Sequence, residues 1–212
     1  MLPEENVLRF YVLCNKLKNV IRTGWKDWHV CRERLESVAE HVYSTQMLAI
    51  AIHSEFKYEL DIYKVIYMLA VHELEEIYIG DLTLFQISHE EKEKIGHEAI
   101  ERVLSSLAQK NFIRSIILEF DEGKTPEAHF ARHIDKLECD LQCKLYDEEA
   151  CVDVDVELER GTIKDETVVK LLKEGKSWSE MWMIFWQNRC GYDENFMKVS
   201  NYAKDHNISS LV

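Results

Sequence analysis

Two prolines and seven glycines in 212 residues leave this chain few places to turn. Sandwiches and barrels need many tight turns, so the scarcity favours long helices. The punctuation that is present is helical. Ser37-Val38-Ala39-Glu40 and Ser88-His89-Glu90-Glu91 both have the S-x-x-E capping-box form. Asp61 precedes a stretch holding Val65, Ile66, Met68 and Leu69, and Thr125-Pro126-Glu127 places a proline at a first helical position.

The apolar spacing fills in the rest. Helices are expected over Glu5 to Ile21, Ser37 to Ser54, Asp61 to His72, Glu90 to Leu107, Asn111 to Phe120, a long one after Pro126, Glu166 to Lys173, Trp178 to Arg189, and Asn195 to Ala203. Residues 24–36 read as an irregular connection carrying Trp25, Trp28, His29, Arg32 and Arg34. From Cys151 to Lys164 valines alternate with acids, which fits a short strand or an extended loop. There is no internal repeat and no linker. The expected architecture is all-α, one domain over residues 1–212, with a core at about 22–146 and C-terminal helices at 165–205 packing on it.

A formal charge of -13 argues against a nucleic-acid backbone as the main partner, because phosphate binding along a polymer needs clustered Lys and Arg. A small phosphate ester held by one arginine or a metal stays compatible with it. No apolar run approaches the ~18–20 residues of a membrane span, so no membrane partner is expected. The amino terminus has neither a basic nor an apolar leader region, and the six cysteines form no C-x-x-C pair. A reducing cytoplasm is therefore the expected compartment.

Polar residues interrupt the apolar helical faces at His41, at His72 with Glu73 and Glu76, and at Asp135. Carboxylates at the end of a buried helix are costly unless a cation meets them. Singly, each of these residues reads as a core histidine, a solvated acid or half of a surface ion pair. Together, on three helices, they read as a site. Imidazole plus carboxylate suits Mn, Fe, Co, Ni or Zn better than Ca or Mg. The zincin pattern H-E-x-x-H fits His72-Glu73-Leu74-Glu75 but fails at Glu76.

Four stretches in this order resemble the HD-domain phosphohydrolases, and most nearly their oxetanocin-type, 5′-deoxynucleotidase-like branch. They are Arg22-Thr23-Gly24-Trp25, Glu36-Ser37-Val38-Ala39-Glu40-His41, His72-Glu73-Leu74-Glu75-Glu76 with Gly80-Asp81-Leu82-Thr83, and Ile134-Asp135-Lys136-Leu137-Glu138. The resemblance runs from Arg22 to Tyr146 and implies an all-helical fold with a divalent transition metal on His41, His72, Glu73 and Asp135. It further implies that Glu76 orients or deprotonates the attacking water, Asp81 helps protonate the leaving alkoxide, Arg22 contacts the phosphate, and Trp25 or Trp28 stacks on or walls off the nucleoside. The substrate implied is a deoxynucleoside 5′-monophosphate or a similar small ester. Glu73 stands where the family's second eponymous residue is Asp. The extra methylene lets its oxygen reach about 1.5 Å further, and it raises an alternative: a metal-poor nucleotide-binding protein that keeps the fold without full catalysis. Trp178 to Trp186 is expected either to be core or to contribute to a homodimer.

Overall fold

A computed structural model describes residues 2–83, 86–161 and 163–212. Every element formed is helical; the described residues hold no strand, only one antiparallel bridge between Ile21 and Ser37. The helices are α1 (Pro3–Cys14), α2 (Thr23–Asp27), α3 (Val38–Phe56), α4 (Ile62–Val71), α5 (Glu76–Ile79) and α6 (His89–Leu104). They continue as α7 (Lys110–Glu122), α8 (Pro126–Glu148), α9 (Val154–Arg160), α10 (Glu166–Lys173), α11 (Trp178–Gln187) and α12 (Glu194–Asp205).

Local chemistry accounts for the boundaries. Ser37 Oγ accepts from the Glu40 amide at 3.3 Å while the Glu40 carboxylate accepts from the Ser37 amide at 2.9 Å, a complete capping box that starts α3. Ser88 and Glu91 repeat it for α6. Asp61, Asp153, Asp165 and Asp193 cap α4, α9, α10 and α12. The alternating valine segment is neither strand nor extended loop: Asp153 caps it and it winds into α9, because a side-chain acceptor at the N-cap outweighs period-two valines with no strand to pair with. Asn15–Asn19 is a 3₁₀ turn rather than the tail of a longer α1, and the segment after Gly24 begins in the short α2.

The helices sort into two compact units, with the division falling inside α8 after Arg132. In the first unit Val38, Ala49 and Ile52 of α3 face Val65, Met68 and Leu69 of α4, with Ile100, Val103 and Leu104 of α6 and Ile116 and Ile117 of α7 closing the core. Fully burying each such aliphatic side chain contributes about 1.5–3 kcal/mol. Tyr43, Met47 and Ile50 remain outside, an exposed apolar stripe one to two turns apart on α3.

The second unit is built on Ile134, Leu137 and Tyr146 of α8, Trp178, Met181, Met183 and Phe185 of α11, and Phe196 of α12. Trp28, from the 24–36 connection, enters it and meets Trp178 and Trp182 at ring-centroid distances of 5.6 and 5.9 Å. Trp178 and its neighbours on α11 are thus core. The same unit encloses Asp140, 1% exposed, whose Oδ2 has no hydrogen-bond partner among the described residues. Burial pushes that carboxyl well above the usual carboxylate range, against the opposing charge of Lys136 one turn earlier on α8. No described helix is long and apolar enough to cross a membrane.

Candidate active site

The site begins where the chain pairs with itself at the Ile21–Ser37 bridge. Arg22 N donates to Glu36 O at 3.1 Å and Val38 N to Val20 O at 2.8 Å, which pins Arg22 against the start of α3. The capping box then sets the phase of α3, and His41 lands inward and fully buried.

The second contribution comes from the end of α4. The helix stops at Val71, one residue before the expected end, and His72 to Glu75 form a tight turn before α5. Its amides reach back three residues, Leu74 N to Val71 O at 3.3 Å and Glu76 N to Glu73 O at 3.2 Å. His72 Nδ1 lies 2.8 Å from Leu69 O, and only a protonated nitrogen can bond a carbonyl, so Nδ1–H donates and Nε2 carries the lone pair. His72 is 4% exposed, so that lone pair is aimed inward.

Glu73 Oε1 stands 3.7 Å from His41 Nε2 and 3.6 Å from His72 Nε2, and these donor atoms lie within 4.8 Å of one another. Those spacings are too long for hydrogen bonds. Ligands about 2.0–2.2 Å from one tetrahedral ion stand roughly 3.4 Å apart, so two imidazoles and a carboxylate at this separation fit a divalent cation. Glu73 approaches both imidazoles from the turn between α4 and α5.

Around this donor set the charges alternate. Arg22 Nη1 lies 3.4 Å from Glu73 Oε1 and 3.7 Å from Asp81 Oδ1. Asp81 follows Gly80, whose φ of 73° and ψ of 174° suit glycine, and it accepts from Thr23 N at 2.5 Å. Glu76 is 1% exposed, and neither of its carboxylate oxygens has a hydrogen-bond partner among the described residues. Burial, with the charges of Glu73 and Asp81, pushes its carboxyl well above the usual range, against Arg22 and Lys92. Glu75 is half-buried rather than merely solvated: burial and the neighbouring Glu73 push its carboxyl up to about 8. Trp25 is buried, and its indole N–H donates to Glu36 Oε2 at 2.9 Å. Asp135 belongs to the second unit, buried on α8, with Lys136 Nζ 2.8 Å from its Oδ2.

Sequence reasoning passed over Lys92. Its Nζ lies 3.5 Å from Glu76 Oε1. Burial lowers its basicity, but the charges of Glu73, Glu76, Glu75 and Asp81 outweigh that and hold its ammonium above the usual range. Within the run Glu90-Glu91-Lys92-Glu93-Lys94 it is indistinguishable from a solvated face.

A helical fold that places two buried imidazoles and a carboxylate at the end of one helix and the start of another defines a class. Residues 14–175 match the HD domain, and the chain belongs to the HD-domain family. Among characterised proteins it is similar to the 5′-deoxynucleotidase HDDC2 of Dictyostelium discoideum, 34% identical over 152 residues, which are 68% of this chain and 79% of that protein. It is also similar to the 5′-deoxynucleotidase hdd1 of Schizosaccharomyces pombe, 28% identical over 67% of this chain and 73% of that one. In fold it is similar to a conserved hypothetical protein from Pyrococcus furiosus, with a TM-score of 0.59 at 24% identity, covering 72% of this chain and 95% of that one. Family membership and the buried donor set together support a divalent metal as cofactor.

Proposed function

We propose that the chain is a metal-dependent phosphohydrolase that removes phosphate from deoxynucleoside 5′-monophosphates. The observation that carries this reading is the His41–His72–Glu73 donor set with Arg22 and Glu76 beside it. The names of the similar proteins, 5′-deoxynucleotidases, support the substrate class. His41, His72 and Glu73 would hold the metal. Asp135, three residues beyond Arg132 on the continuous α8, would be the fourth ligand, as the family resemblance implies. Imidazole and carboxylate donors suit Mn, Fe, Co, Ni or Zn. When bound, such an ion neutralises phosphoryl charge and lowers the pKa of water towards ~7.

The chain's own residues supply the rest. Arg22 offers a planar fork to two phosphoryl oxygens. The attacking water forms a bond to phosphorus as the bond to O5′ breaks. Glu76, whose burial makes its carboxylate a stronger base than an exposed one, takes the water's proton. Asp81, as the family resemblance implies, would help protonate the departing O5′ by passing on a proton taken up from solvent, and Trp25 would wall the nucleoside with its N–H already committed to Glu36. The alternative reading, a metal-poor nucleotide binder, is not favoured, because Glu73 reaches both imidazoles. Protein loaded with Mn, Co or Zn should release phosphate from dAMP and dTMP, and elemental analysis of the same preparation should find one transition metal per chain. Failure of every metal on a broad phosphate-ester panel refutes the assignment.

The exposed Tyr43–Met47–Ile50 stripe on α3 supports a homodimer formed through that face, read by light scattering as twice 25.1 kDa. The six free thiols fit a reducing cytoplasm.

A further inference from the structure

We infer that Lys92 is a positioning residue for Glu76, holding that carboxylate by charge while leaving its oxygens free to take a proton. The inference rests on the phosphohydrolase reading above and adds to it a residue from a helix outside the recognised motifs.

The argument starts from an imbalance. Glu73, Glu75, Glu76 and Asp81 crowd one end of the first unit, and Arg22 lies between Glu73 and Asp81. Glu76 is 1% exposed, with neither oxygen hydrogen-bonded among the described residues. A buried carboxylate in that state has nothing to fix its rotamer except packing and charge. Lys92 Nζ, 3.5 Å from Oε1, supplies charge from the α6 side, in addition to that of Arg22. That distance exceeds the roughly 2.7–2.9 Å of a charge-assisted hydrogen bond. The ammonium therefore draws the carboxylate without occupying a lone pair, which suits a group whose task is to accept a proton from water.

The approach is built into α6. Its capping box fixes where the helix starts, and Lys92 N donates to Ser88 O at 2.9 Å in the first full turn. Gly96 follows one turn later on the same face, and a Cβ built there would stand 3.5 Å from Glu75 Cγ. That is ordinary van der Waals contact, so α6 lies against the Glu75 side chain at this turn. The same face of α6 thus carries the Lys92 ammonium to Glu76 and packs against Glu75 one turn later. Lys94, two residues on, is exposed. The lysine stem is itself 28% exposed, so it can be replaced without opening the core.

The test uses the metal-loaded full chain with dAMP. Lys92→Met should lower kcat on the order of 100-fold, the loss expected when a catalytic group drifts by about an ångström. KM should stay within about threefold, because the substrate is not touched. Metal content and thermal midpoint should hold, and Lys92→Arg should restore most of the rate. Combining Lys92→Met with Glu76→Gln should be no slower than Glu76→Gln alone, since the lysine acts only through that carboxylate. A raised KM at constant kcat would make Lys92 a substrate contact and overturn the inference. So would additive losses in the double variant, an unaffected kcat, or a loss that arginine does not rescue. An inactive wild-type chain removes the phosphohydrolase reading and this inference together, whereas an active wild type with an indifferent Lys92→Met removes the inference alone.

Discussion

Replacing Asp140 by asparagine should stabilise the protein by an amount that grows with pH. Asp140 is 1% exposed on α8, its Oδ2 lacks a hydrogen-bond partner among the described residues, and burial holds its carboxyl well above the ordinary 3.8. Lys136 is the charge that opposes that shift. In the unfolded chain the carboxyl has lost its proton by about pH 5. The folded chain keeps it, so the folded state binds one more proton and stability falls as pH rises through that interval. The limiting slope for one group is about 1.4 kcal/mol per pH unit over the interval in which the unfolded carboxyl is ionised and the folded one is not. Asparagine has the same shape and does not titrate. Urea denaturation of both proteins at pH 5, 6, 7 and 8 should therefore show an advantage for Asp140→Asn that widens with pH. Each pH unit within that interval should widen the midpoint difference by on the order of 0.5 M for a urea slope of about 2–3 kcal/mol per M. A difference that is flat or narrows with pH would mean that Lys136 keeps Asp140 ionised in the fold, and the reasoning would be wrong.

Gly80→Ala should cost about 1–3 kcal/mol, because the φ of 73° and ψ of 174° at Gly80 lie where only glycine is unstrained, and should lower kcat by displacing Asp81; a melt and a rate assay on the same variant check both. Ser37→Ala removes the acceptor that starts α3 and should lose roughly 0.5–2 kcal/mol, seen as a lower thermal midpoint that metal saturation partly restores. Glu76→Gln should cut kcat about 100- to 10,000-fold while metal content, read by elemental analysis, stays at the wild-type level. Met47→Asp places a charge in the exposed α3 stripe and should leave monomers in light scattering with undiminished helicity by circular dichroism.

The helices were legible because their ends are written in side chains. Ser37 with Glu40, Ser88 with Glu91, Asp61 and Pro126 each sit at the boundary their chemistry dictates. The valines from 152 to 156 misled because alternation is visible in sequence while the absence of a partner strand is not, and Asp153 decided the matter. Trp178 and Trp182 were ambiguous between core and surface until Trp28, 150 residues earlier, was seen against them. His41, His72 and Glu73 stood out as polar groups on apolar faces. Lys92 could not, since a charge in a charged run acquires meaning only from what a distant turn brings within 3.5 Å. Glu75 was hidden for the converse reason: its neighbour across the gap is a glycine, which leaves no trace of contact in the sequence.

The turn from His72 to Glu75 separates two helices that need not share a register. On an uninterrupted helix, lengthening one donor side chain would demand rotating or sliding the whole rod, with its buried Val65, Met68 and Leu69, to keep the tip in place. A hinge of four residues decouples the tip from the rod. Small torsional adjustments there can absorb a carbon atom while the imidazole keeps its anchor on Leu69 O. Such a joint makes the reach of the carboxylate a local property of the turn rather than of α4.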